Sequence, residues 1–346
     1  MTVKSVLIID DSALMRAILT EIISSDERFV VCGAAQDPYI ARDMIKTLNP
    51  DILTLDIEMP RMNGISFLRN VMRLRPMPVI MISTLTHAGA PQALEALELG
   101  AIDYIGKPTQ HTDMASGKYR EQVINKLVAA SLANIYASTT TISSAHLASS
   151  SLNERQPKSG KICAIGSSTG GTEALKDVLM MLPKHCPPIV VAQHIPEAFS
   201  ASLAKRLDGC CPMHITEAKQ DQLVEPGHVY IAKGGKHLMV NKVGTKYHCH
   251  LTDDIEVNMH RPSVESLFDS VLGSVGVNAM AVMLTGMGKD GAQAMLRMRE
   301  QGCYTVAQDE ATSVVWGMPG AAVKLGAVVD QAALQDIASK IIDHCY

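Results

Sequence analysis

Val6-Leu7-Ile8-Ile9-Asp10-Asp11-Ser12 decides the N-terminal fold: an unbroken apolar run, two carboxylates, then a hydroxyl able to open a helix. A short apolar run without polar alternation reads as a strand buried on both faces, the pattern of parallel sheets covered by helices. From Ser12 to Ser24 the spacing turns helical, with Leu14, Ile18 and Ile22, and Met15 and Leu19, recurring every three to four residues. The same alternation continues with strands over 29–35, 51–57, 78–82 and 101–105 and helices over 38–48, 65–74, 91–99 and 119–135. Five strand–helix pairs in succession predict a parallel, doubly wound α/β sheet. Gly33, Gly64, Gly100 and Pro108 stand at the turns.

The composition then changes. Residues 137–159 carry Ser-Thr-Thr-Thr, Ser-Ser-Ala and Ser-Ser-Ser without a strong period, the composition of a linker. Beyond it the alternation resumes, with strands expected at 161–165, 188–193, 228–232, 279–284 and 304–307 and helices at 171–182, 200–207, 264–273 and 291–300. Two strand-like runs within 236–253 flank Lys242-Val243-Gly244-Thr245 and predict a hairpin inserted into an otherwise parallel domain. The expected organisation is a first α/β domain over 1–136, a linker over 137–159 and a second over 160–346. Two domains suit a chain of 346 residues.

The bulk properties exclude several classes. A net charge of −4 gives no basis for nucleic-acid or anionic-membrane binding. Hydrophobic residues make up 47%, which excludes wholesale disorder. None of the eight cysteines forms C-x-x-C, and Cys210-Cys211 is a poor start for a disulfide framework, so reduced thiols and a cytoplasmic setting are expected. No signal peptide or membrane-spanning run is expected either. The methionines Met180-Met181, and Met295 with Met298, read as core packing.

In a doubly wound sheet, ligand chemistry collects outside the carboxyl ends of the strands. Asp10 and Asp11 follow the first strand, Asp56 ends the third, Ser83 ends the fourth and Lys107 follows the fifth. Three carboxylates brought together repel unless a cation joins them, and hard oxygen ligands beside a phosphoryl group suit Mg²⁺. A metal and a lysine make an aspartate a competent phosphoryl acceptor.

A second junction carries different chemistry. Gly166-Ser167-Ser168-Thr169-Gly170 follows an apolar run and precedes a helix, the G-x-S-x-G turn that exposes a nucleophilic serine. His194 follows Val190-Val191-Ala192-Gln193, and Asp290 lies beyond the run ending at Leu284, so serine, histidine and aspartate fall on one sheet edge. The order Ser…His…Asp is not that of α/β-hydrolases. Two rival motifs stand nearby. Gly286-x-Gly288-x-x-Gly291, with Asp309 downstream, matches a dinucleotide fingerprint, but Asp290 puts a negative charge in the loop and the motif comes late in the domain. His248 and His250 share a strand face but have no second ligand pair at zinc spacing, and read as hairpin surface.

The first 135 or so residues resemble the receiver domain of two-component response regulators. The resemblance rests on Ile8-Ile9-Asp10-Asp11-Ser12, Leu53-Thr54-Leu55-Asp56-Ile57-Glu58-Met59-Pro60 and Gly106-Lys107-Pro108. It implies Asp56 as the acceptor from a histidine kinase and Mg²⁺ held by Asp10, Asp11, Asp56 and the Glu58 carbonyl. Ser83 and Lys107 would then contact the phosphoryl group, and Tyr104 would be a switch aromatic.

With the second domain included, the chain resembles the chemotaxis protein-glutamate methylesterases of CheB type. The motifs are Ala164-Ile165-Gly166-Ser167-Ser168-Thr169-Gly170-Gly171-Thr172-Glu173, Gln193-His194-Ile195-Pro196 and Leu284-Thr285-Gly286-Met287-Gly288-Lys289-Asp290-Gly291-Ala292. By this resemblance Ser168 is the nucleophile, His194 the base and Asp290 its orienter; the Met287 N–H helps form the oxyanion hole and Thr169 lines the site. Ser167 stands where many relatives have alanine, leaving two adjacent hydroxyls of which the elbow pattern selects Ser168. The implied reaction is hydrolysis of glutamyl methyl esters on chemoreceptors, with deamidation of receptor glutamines by the same path and no cofactor in the esterase domain. A chemotaxis histidine kinase would supply the phosphoryl group, whose roughly −1.5 to −2 charge would relieve inhibition by the receiver. The alternatives are a regulator whose second domain only binds a partner, and an esterase for small molecules.

Overall fold

The computed structural model describes residues 2–84, 89–108, 117–135 and 156–346. The chain divides into two compact units, Met1–Ile135 and Tyr136–Tyr346. Of the expected linker over 137–159, the part up to residue 155 lies outside the described residues.

In the first unit, strands β1 (Lys4–Ile9), β2 (Phe29–Ala35), β3 (Ile52–Asp56), β4 (Val79–Ser83) and β5 (Asp103–Gly106) alternate with helices. These are α1 (Ala13–Ser24), α2 (Pro38–Leu48), α3 (Gly64–Leu74), α4 (Ala90–Glu98) and α5 (Gly117–Leu132). The strands pair in parallel in the order β2-β1-β3-β4-β5. Val6, Leu7, Ile8, Ile9, Leu53, Leu55, Ile80 and Ile82 are sealed from solvent, which is why these runs show no alternation. Each such side chain contributes about 1.5–3 kcal/mol of burial. The helices start where the sequence supplies caps: Ser12 accepts the Met15 N–H, Asp37 those of Tyr39 and Ile40, and Asn63 that of Ser66. The order in which strands join the sheet reverses at β1 and β3, so the crevice between their carboxyl ends is the place for a ligand.

The second unit holds β6 (Ile162–Ser167), β7 (Ile189–Gln193), β8 (His214–Glu217), β9 (His228–Ile231), β12 (Ala279–Met283), β13 (Tyr304–Gln308) and β14 (Asp330–Ala332) in one parallel sheet. Its order is β14-β13-β12-β6-β7-β9-β8. The hairpin, β10 (His237–Val243) and β11 (Lys246–Thr252), forms a separate antiparallel pair. It packs on α8 (Val264–Val275), where Ser270 and Ser274 side chains bond the Val240 backbone. The remaining helices are α6 (Gly171–Met180), α7 (Glu197–Asp208), α9 (Ala292–Glu300), α10 (Met318–Lys324) and α11 (Leu334–Cys345). Phe268, Met283, Met295 and Met298 lie in one apolar core with Tyr230 and Leu238. Met180 departs from the core expectation: it ends its helix 42% exposed.

β6 sits between β12 and β7. Ser168 follows β6, His194 follows β7 and the loop to Asp290 follows β12, so three neighbouring strands deliver the three residues to one edge. All eight cysteines are free thiols. Among the described residues no helix is long and apolar enough to cross a membrane.

Candidate functional site

The acidic crevice of the first unit is built at the ends of β1, β3 and β5. Carboxylate oxygens of Asp10, Asp11 and Asp56 all lie within 4.8 Å of one another, the only such cluster of potential metal ligands among the described residues. Lys107 Nζ donates to Asp56 Oδ2 at 2.7 Å. It also lies 3.2 Å from Asp10 Oδ2, a second ion pair. Burial raises the Asp56 carboxyl to about 6; Lys107 and the Glu58 N–H pull it down, and the Asp10 charge pushes it up. On Lys107 the balance differs: burial lowers it, but both carboxylates together hold it above its ordinary value. One ammonium therefore serves two buried carboxylates. An oxygen-only donor set with excess negative charge fits Mg²⁺.

Gly64 lets the chain after Asp56 pack close. A Cβ there would lie 2.0 Å from the Asp56 carbonyl oxygen, so no other residue allows the approach. Ser83 is buried one position beyond Ile82, the residue paired with Asp56. Tyr104 is buried on β5, where burial pushes its phenol well up. Glu58 is exposed, its N–H turned to Asp56 Oδ1 at 3.3 Å.

In the second unit His194 joins the other two residues. Its Nδ1 lies 3.1 Å from Ser168 Oγ and its Nε2 2.9 Å from Asp290 Oδ2. Asp290 is 2% exposed and takes further hydrogen bonds from Asn258 Nδ2, Ser263 Oγ and the N–H groups of Val264 and Glu265. The last two are the open N-terminus of α8, a natural seat for an anion. Burial raises the Asp290 carboxyl, but His194, Asn258 and the Val264 N–H overcome it and bring it to about 2. An ionised carboxylate only accepts, so Nε2 carries the imidazole proton and Nδ1 is left bare to take one from Ser168.

The two adjacent hydroxyls separate cleanly. Ser167 ends β6 fully buried, and its Oγ donates to Gln193 Oε1 at 2.6 Å. Ser168, 7% exposed, is the one that faces His194. Gln193 Nε2 in turn holds the Ser168 carbonyl at 2.9 Å. The Ser168 N–H is spent on the Thr285 carbonyl at 3.0 Å, so it does not serve an oxyanion. Gly286 packs directly on the elbow: a Cβ there would meet Ser168 Cβ at 2.8 Å and Met318 Sδ at 2.5 Å. Met287 is the next residue along this loop. Thr169 is buried beside Ser168, its carbonyl taking Thr285 Oγ1 at 3.1 Å.

The rival motifs are otherwise engaged. The Gly286–Gly291 loop presents Asp290 to α8 and His194. Asp309 bonds Thr312 through both its N–H and hydroxyl, within its own loop. His250 Nδ1 pairs with Gln220 Nε2, on the segment between β8 and β9, at 3.0 Å. Sequence reasoning missed Asn258, His260 and Ser263. Ser263 carried a signal, a serine directly before the apolar run of α8; Asn258 and His260 had none.

A family model described as CheB methylesterase matches residues 163–341, and one described as response regulator receiver domain matches residues 6–116. The protein-glutamate methylesterase/protein-glutamine glutaminase 2 of Saccharophagus degradans is 59% identical over 345 residues, spanning 98% of each chain. The corresponding protein 1 of Dechloromonas aromatica is 48% identical over 339 residues, spanning 97% of each. The crystal structure of the Thermotoga maritima CheB methylesterase catalytic domain superposes with a TM-score of 0.53 at 39% identity, covering 54% of this chain and 98% of that one. With matches to both units and to the full length, the chain belongs to the CheB family of protein-glutamate methylesterase/protein-glutamine glutaminases, a methylesterase domain preceded by a response regulator receiver domain.

Proposed function

We propose that this chain hydrolyses glutamyl methyl esters of chemoreceptors, and deamidates their glutamines, under control of phosphorylation at Asp56. The observation that carries the reading is the His194 ring bridging Ser168 Oγ and Asp290 Oδ2 at 3.1 and 2.9 Å. Ser168 Oγ adds to the ester carbonyl as His194 Nδ1 takes its proton, and Asp290 stabilises the imidazolium formed. The Met287 N–H stabilises the oxyanion. The proton passes from Nδ1 to the departing oxygen, methanol leaves and the glutamyl group remains on Ser168. Water then adds with the same proton transfers, releasing the receptor carboxylate and restoring the serine. From a glutamine, ammonia departs in place of methanol.

In the receiver, an Asp56 carboxylate oxygen attacks the phosphorus of a phosphohistidine on the partner kinase; the O–P bond forms as the N–P bond breaks. Lys107 and Ser83 steady the transferred group, and Tyr104 responds to it. Asp10, Asp11, Asp56 and the Glu58 carbonyl would hold Mg²⁺, which supplies positive charge to balance the phosphoryl oxygens. The domain assignment that follows is receiver over 1–136, linker over 137–159 and esterase over 160–346.

Methanol release from methylated receptor membranes, against hydrolysis of a small methyl ester, tests the substrate. Release from receptors that vanishes in Ser168→Ala supports the reading. Turnover of the small ester alone would replace it with a general esterase, and release undiminished in Ser168→Ala would refute the nucleophile.

A further inference from the structure

The segment Val257–His260 touches both members of the Asp290–His194 pair. Val257 and His260 exchange backbone hydrogen bonds at 3.2 and 3.0 Å, and the two residues between them, Asn258 and Met259, have φ of 53° and 66°. This is a two-residue hairpin turn with both central residues left-handed, a conformation that favours asparagine first and glycine second. Methionine therefore occupies a position normally given to glycine, with its side chain 64% exposed. Such local strain persists where surrounding structure requires it, and it clusters at functional sites.

The turn spends that strain on two contacts. Asn258 Nδ2 donates to Asp290 Oδ1 at 2.8 Å, the oxygen opposite the one that takes His194. The His260 ring lies flat on the His194 ring, centroids 3.6 Å apart and planes 16° from parallel. Hydrogen bonds at Nδ1 and Nε2 set the orientation of the imidazole within its own plane, and the out-of-plane tilt is the softer motion. A ring stacked on its face packs against that tilt and covers the face against water. Small errors in the direction of proton transfer are costly in rate.

We infer that Val257–His260 is a positioning turn for the hydrolytic site, in which Asn258 fixes the Asp290 carboxylate and His260 fixes the plane of His194. This rests on the reading of Ser168, His194 and Asp290 as the hydrolytic group. Neither Asn258 nor His260 touches the substrate's reacting atoms in this scheme.

The test uses the full-length protein and methanol release from methylated receptor membranes. It adds proton NMR of the low-field resonance expected for the His194–Asp290 hydrogen bond. His260→Ala should lower kcat roughly 10- to 100-fold with little change in KM, and the low-field resonance should be lost to solvent exchange. His260→Phe, which keeps a flat ring without the nitrogens, should restore most of kcat and the resonance. Asn258→Ala should lower kcat and weaken the resonance from the other side. Circular dichroism establishes that each variant is folded; if His260→Ala is not, His260→Phe and Asn258→Ala decide the matter. Wild-type kcat and resonance in His260→Ala, or a folded His260→Phe with neither, would overturn the inference. Methanol release persisting in Ser168→Ala would instead overturn the hydrolytic reading beneath it.

Discussion

Asp290 Oδ2 accepts from His194 Nε2 at 2.9 Å and from the Val264 N–H at 2.7 Å, so one carboxylate oxygen orients the imidazole and closes the first turn of α8. Imidazole orientation and the start of α8 are tied to the same atom. Asp290→Asn replaces an acceptor with a group that also donates, and disfavours the tautomer that leaves Nδ1 bare. A loss of roughly 10⁴-fold in kcat is expected, the size of the corresponding effect in serine proteases. Methanol release measured at saturating receptor checks it.

The same carboxylate fixes an acid limit. Its folded value is about 2 against an ordinary 3.8, so between those values the unfolded chain binds more protons than the folded one. Stability from this group is fully present above about pH 4 and is lost as pH falls through about 2; the amount is ~2 kcal/mol. Denaturant midpoints of the wild type should fall across that window, and those of Asp290→Asn should fall less.

Ser167 and Ser168 should part company. Ser167→Ala removes a buried hydrogen bond to Gln193 and is expected to cost about 1–3 kcal/mol in stability while leaving substantial hydrolysis. Ser168→Ala should remain stable and lose hydrolysis. Urea melts and methanol release on both variants separate the two roles.

Gly286→Ala is expected to be damaging far beyond one methyl group. The new Cβ meets Ser168 Cβ at 2.8 Å and Met318 Sδ at 2.5 Å. Overpacking of this kind costs about 1–3 kcal/mol, and on the proposed role of the Met287 N–H its displacement should lower kcat by roughly 10²–10³. The ratio of kcat loss to melting-point loss distinguishes a moved oxyanion donor from a merely loosened fold.

Much of this arrangement was legible in the sequence. The unbroken apolar runs fixed the central strands because those strands are buried on both faces, and strand ends then placed Asp10, Asp56, Lys107, Ser168, His194 and Asp290. Edge elements were not legible. His214–Glu217 is four residues long with His214 exposed, and Asp330–Ala332 is three residues long, so neither gives a period. Helix α10 carries Pro319 in its first turn and spans only seven residues. Asn258 and His260 were hidden for a different reason: the turn that aims them has methionine where its backbone favours glycine, so its turn chemistry is invisible. Nor could spacing tell which imidazole nitrogen faces the serine, since that follows from the approach of α8 and Asp290.

On the proposed function, a phosphoryl group on Asp56 controls hydrolysis at Ser168 within one chain. The direct measurement is methanol release from methylated receptor membranes by the full-length wild type, Asp56→Asn and Ser168→Ala, each with and without a small phosphodonor and Mg²⁺. Release that rises with phosphodonor in the wild type, stays at its basal level in Asp56→Asn and is absent in Ser168→Ala is the expected result. Equal stimulation of Asp56→Asn, or release by Ser168→Ala, would contradict the account.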